Sequence, residues 1–207
     1  MNEKDRIEQI FDIMKLSANK CFEQSQGRVN DYCIRHGKEI AAKFASAFQE
    51  AFRQAAVLQE SQDKGAASYL VLSHLYSSIW AGGYSVKLDI FDRRFYADPH
   101  EIDVYLALDW IYGFLSEDMD YIYKELIRQH ILSPRRHEME QIRYRYVYYY
   151  HAIVLELISN NIPALLSLPA FKKMTVESYF EVVFGGYMDK AETVWPKAED
   201  ISELLSS

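Results

Sequence analysis

The chain has 207 residues, 49% of them hydrophobic and 14% aromatic, which supplies a core and excludes a disordered chain. Its 23 Lys and Arg against 30 Asp and Glu leave a net charge of −7, which argues against a broad phosphate-binding surface, although not against a local basic patch. Eight glycines and five prolines are few for this length and favour long elements with short joins.

In chain order, Ile7, Ile10/Phe11, Met14, Ala18 and Cys21/Phe22 recur at helical spacing, with Asn2 as a cap and Gly27 as an interruption. A second long helix is predicted from about 29 to 59, on Val29, Cys33, Ile40, Phe44, Phe48, Phe52 and Ala55, with alanines that let neighbours approach closely. After a polar turn, the uncharged stretch from Gly65 reads as a third helix, to about Ala81, stopped by Gly82-Gly83. Its length suits a membrane span, but Ser68, Ser73, His74, Ser77 and Ser78 make it a buried central helix instead. Tyr84, Val86, Leu88 and Ile90 then alternate with polar residues, predicting a small β-hairpin within 84–97.

Asp98-Pro99-His100-Glu101 has the form of a capping box and opens a predicted helix, which pauses near 116–118 and resumes to His130. Ser133-Pro134 opens another, ended by Asn160-Asn161 and Pro163. Shorter helices are expected at 176–184 and 187–195, and the tail from about 197 is expected to fray. The fold class is therefore all-α, a multi-helix bundle forming a single domain over 1–207.

Motifs for chemistry are missing. No Glu-x-x-His or Cys-x-x-Cys occurs, and His137-Glu138 begins a zinc-protease pattern that fails at Gln141. There is no glycine-rich phosphate loop and no Gly-x-Ser-x-Gly turn. Two Arg-x5-His pairs, ending at His100 and His151, place their side chains about 120° out of line on a helix. The first sixty residues lack the compact three-helix pattern of a DNA-binding module. No catalytic residue, metal or cofactor is assigned. Cys21 and Cys33 sit at core-type positions and read as free thiols, and the charged N-terminus lacks a signal core, so the expected compartment is the cytoplasm.

Two residues stand out. His74 and His151 each lie in the middle of an apolar stretch, where an unpaired polar group costs about 1–3 kcal/mol. The second stretch, 147–158, carries apolar residues nearly all round and reads as a central helix. Tyr144 and Tyr148 share the His151 stripe, and the chain holds sixteen tyrosines in all. The leading expectation is a non-enzymatic protein that acts by protein–protein contact or self-association. The second is a small-molecule pocket formed by His74, Tyr144, Tyr148 and His151. The third is a hydrolytic or nucleic-acid-processing enzyme using those same groups. Nucleic-acid and membrane partners are not expected.

Overall fold

The computed structural model describes residues 3–129 and 134–196; Asn2, His130, Ser133 and the tail from 197 lie outside this range. Helix makes up 62% and strand 19%, with the strands in one five-stranded mixed sheet, so the fold is α/β and the all-α helical bundle is corrected. The chain divides into two compact units, Met1–Gly37 with Trp110–Val154, and Lys38–Asp109 with Leu155–Ser207.

Helix α1 (Glu3–Glu60) contributes to both units, and Gly27 does not break it. Its backbone leaves helical geometry at His36 (φ −117°, ψ 16°), beside Gly37. A Cβ at Gly27 would meet nothing within 4 Å, so the helix merely tolerates this glycine, at about 1 kcal/mol relative to alanine. The helical unit is completed by α3 (Asp109–Tyr112), α4 (Leu115–Arg128) and the first part of α5 (Arg136–Leu166). Ile10, Met14, Ala18, Cys21 and Val29 of α1 are buried, as are Leu115, Met119, Ile122 and Leu126 of α4 and Ile142, Tyr146, Tyr150 and Val154 of α5. The stretch 147–158 is not buried all round: Tyr148, Ala152 and Glu156 are exposed along one edge. Helix α5 also runs past Asn160-Asn161, with Pro163 inside its last turn.

The sheet unit contains β1 (Ala67–His74), α2 (Tyr76–Ala81), β2 (Ser85–Asp92), β3 (Val104–Ala107), β4 (Val176–Gly186) and β5 (Ala191–Trp195). The strand order is β3-β2-β1-β4-β5; β1 pairs antiparallel with β2 and parallel with β4. One face of the central strands presents Leu70, Leu72 and His74 beside Ile90, Leu88 and Val86. Phe180, Val182 and Phe184 of β4 continue that face. Phe52 of α1 meets Phe171 at 5.1 Å, and Phe171 meets Phe180 at 5.5 Å, which lays the second half of α1 over it. The opposite face gathers Val71, Phe91 and Val183 under Tyr69, Phe95 and Tyr96.

The helix predicted to open at Asp98 is not formed, since Val104–Ala107 is β3 and helix begins only at Asp109. Three further expectations are corrected. The predicted third helix is β1 followed by the short α2, although Gly82, at φ +76°, does close α2 as its left-handed cap. The 84–97 hairpin is not formed: β2 pairs with β1 and β3, and 95–97 is a 3-10 turn. Finally, the helices expected at 176–184 and 187–195 are the strands β4 and β5, whose Val, Tyr, Phe, Thr and Trp residues suit a pleated surface.

Glycine demand differs sharply between positions. A Cβ on Gly185, opposite Ala191 in the β4–β5 pair, would lie 2.3 Å from the Lys190 carbonyl oxygen and 2.6 Å from the Ala191 Cα. Gly185→Ala is expected to destabilise the chain by about 3 kcal/mol, whereas Gly27→Ala should stabilise it by about 0.5–1 kcal/mol. Urea unfolding of the two variants checks the opposite signs.

Candidate functional site

In the helical unit, Asp118 sits in the first turn of α4, where a helix favours negative charge. Its buried carboxylate accepts Ser25 Oγ at 2.8 Å, the Tyr146 hydroxyl at 2.6 Å and the Tyr150 hydroxyl at 2.5 Å. Cys21 Sγ lies 3.3 Å from the same Tyr146 oxygen. Burial, reinforced by hydrogen bonding to Asp118, pushes the ionisation of Tyr146 and Tyr150 upward, so both hydroxyls remain donors. Burial likewise raises the Cys21 thiol, which makes it a poor nucleophile. The arrangement is a matched set of donors around one acceptor, suited to fixing the helices rather than to turnover.

The sequence-predicted residues fall in both units. His151 is buried on α5 with Nδ1 2.7 Å from the Tyr112 hydroxyl, whose ionisation burial also raises. Tyr148 contacts His151 edge-on at 5.5 Å and Tyr144 at 5.9 Å, so these three are brought together, with both tyrosines exposed. His74 belongs to the sheet unit, at the end of β1. It packs against Tyr76 at 5.2 Å and Phe184 at 5.7 Å. Burial lowers its pKa to about 4, with Asp189 opposing.

The sheet unit carries ionic groups that the sequence reading missed. Lys87 on β2 is buried and donates to Asp89 at 2.9 Å and Glu101 at 2.6 Å, while the Ile102 amide donates to Asp89. Burial would lower the Lys87 ammonium, but its two carboxylate partners outweigh this and hold it above its ordinary value. Lys64 is fully buried and donates to Asp98 and to the Ile90 carbonyl. Asp98 also accepts the amides of Asp92 and His100. Arg94 grips the Asp92 carboxylate through Nε and Nη2, and holds it down at a pKa of about 2. One signal was readable: Lys87 and Asp89, two apart in an alternating strand, must share a face.

Beside these last residues an open polar cleft of about 570 Å³ is bounded by the end of α1, the turn 61–66, the end of β2 and the start of β4. Among the described residues there is no group of three or more His, Cys, Asp or Glu that could hold a metal ion. No described helix is long and apolar enough to cross a membrane. No family model, no curated protein and no solved structure matches the chain.

Asp118→Ala would leave three buried hydroxyls without their acceptor and should cost about 3–5 kcal/mol, whereas Asp118→Asn, which keeps one carbonyl oxygen, should cost less. Denaturant titration orders the two.

His74 has its own pH signature. Its pKa falls from an ordinary 6.5 to about 4 on folding. The stability gained by burying neutral imidazole is therefore complete above pH 6.5 and is lost as pH drops toward 4. The loss should total about 3 kcal/mol at most. Glu138, clasped by Arg6 and held at about 2 from an ordinary 4.5, loses its contribution only below about pH 4.5, at the foot of that window. Unfolding free energies measured between pH 7 and 4 should flatten in His74→Gln; an unchanged slope would assign the loss elsewhere.

Proposed function

We propose that the chain works by protein–protein contact through its helical unit, with a second copy of itself as the first partner. The observation that carries this is the set of large apolar side chains held outward from that unit. On α1, Leu16 is 76% exposed and Ile34 is 82% exposed. Tyr123 and Ile127 on α4, and Tyr144 and Tyr148 on α5, add to them as i, i+4 pairs. Leu16 also lines a groove of about 240 Å³ between α1 and α4, together with Ile13, Lys20, Tyr121, Glu125 and Arg128. Apolar and charged side chains side by side are usual at a contact surface.

Charge supports the same reading. The helical unit holds twelve basic and twelve acidic residues, whereas the sheet unit holds eleven and eighteen and so carries the whole net charge of −7. A neutral surface does not repel its own copy, and neutrality favours association.

Sedimentation velocity between about 1 and 100 µM should show a concentration-dependent dimer. Leu16→Glu and Ile34→Glu each remove an apolar side chain worth about 1.5–3 kcal/mol when buried. Each should weaken the dimer about tenfold or more without lowering the unfolding temperature, because the positions are exposed in the monomer. A wild-type chain that stays monomeric throughout, or a double variant that dimerises equally well, overturns the proposal.

A further inference from the structure

The cleft at the end of α1 has a built frame. Gln59 donates from Nε2 to the carbonyls of Gly65 (2.9 Å) and Thr175 (2.8 Å) and accepts the Thr175 amide (2.9 Å), which joins the helix end to the approach of β4. Behind the turn, Lys64 is held by Asp98, and Asp92 by Arg94 and the Gly65 amide. A Cβ at Gly65 would come 3.2 Å from the Asp92 carboxylate, so the backbone there closes directly on that pair. The frame's own charges are thus matched among themselves.

Two lining residues are different. Arg93, exposed, and Glu177, half-buried, line this cleft from separate strand ends, and neither side chain has a hydrogen bond or ion pair among the described residues. Together they offer one cation and one anion to whatever enters the cleft. The acidic pole is reinforced twice. Asp63 lines the same cleft, and the last turn of α1 contains no basic residue to offset the negative end of its dipole.

We propose that this cleft binds a small zwitterion, with its carboxylate on Arg93 and its ammonium on Glu177. A free amino acid or a short peptide with both termini exposed has that chemistry, and a cavity of about 570 Å³ accommodates either. No large apolar side chain lines the cleft, so recognition runs through the charged ends.

Triglycine, N-acetyl-triglycine and triglycine amide separate the two charges, and isothermal titration calorimetry reads them. Triglycine should bind saturably below about 10 mM, and each blocked peptide at least tenfold more weakly. Arg93→Gln should abolish the preference for triglycine over its amide. Glu177→Gln should abolish the preference over the N-acetyl form. Both residues lack partners, so the unfolding temperature of each variant should match the wild type and mark it as folded. Absence of saturable triglycine binding, equal binding of the three peptides, or wild-type preferences in both variants overturns the proposal.

Discussion

Strand β1 has no solvent face. Leu70, Leu72 and His74 turn to one side and Val71 and Ser73 to the other, and all of them are buried. A strand in that position must be covered twice, and the sheet unit is organised around doing so. Its hydrogen-bonding edges are taken by β2 and, in parallel, by β4. A parallel neighbour needs a long crossover, and here the chain between β3 and β4 supplies it by passing through α3, α4 and α5. On one side the cover includes the aromatic second half of α1. On the other it comes from Phe95 and Tyr96 in the β2–β3 connection.

That connection is fastened by two buried lysines. Lys64 takes Asp98 and Lys87 takes Glu101, three residues apart. The same two carboxylates form the ends of the apparent capping box. Asp98 and Glu101 are acidic because each meets a lysine from elsewhere in the chain, and the helix-start pattern is a by-product. An ammonium in so dry a site contributes little net stability, but removing its partner leaves a charge stranded. The pairs therefore specify where the connection lies more than they strengthen it.

This explains how much of the fold the sequence disclosed. Long helices on one apolar stripe were legible, because Ile10, Met14, Ala18 and Cys21, or Ile142, Tyr146 and Tyr150, repeat at helical spacing over several turns. β1 was not. Burial on both faces removes the polar alternation that marks a strand, and a short uncharged run then looks like a buried helix. β2 kept its alternation and was recognised as extended, but a local pattern cannot name a partner, and the strand it meets lies earlier in the chain rather than in a hairpin after it. In β4 the bulge between the Val176 and Glu181 registers breaks the period of two. Of the candidate site, the grouping of Tyr144, Tyr148 and His151 followed from their shared stripe. The contacts of Asp118, Lys64 and Asp98 did not, since each joins residues tens of positions apart.

The tyrosine surplus has a physical sense within the helical unit. A core of phenylalanine would supply as much apolar area without needing partners. Tyr146, Tyr150 and Tyr112 instead bring three hydroxyls inside, and each has an acceptor or partner waiting, two on Asp118 and one on His151. Such bonds are directional, so they oppose sliding or rotation of α4 and α5 against α1 in a way that interchangeable apolar contacts do not. The tyrosines on the outside serve a different requirement. Tyr123, Tyr144 and Tyr148 combine apolar area with a hydroxyl that water satisfies, so each stands exposed at little cost. The net charge of −7 is carried entirely by the sheet unit. Net charge is thus segregated between the units, whereas exposed apolar area is not: Trp80, Tyr105 and Tyr179 of the sheet unit are exposed as well.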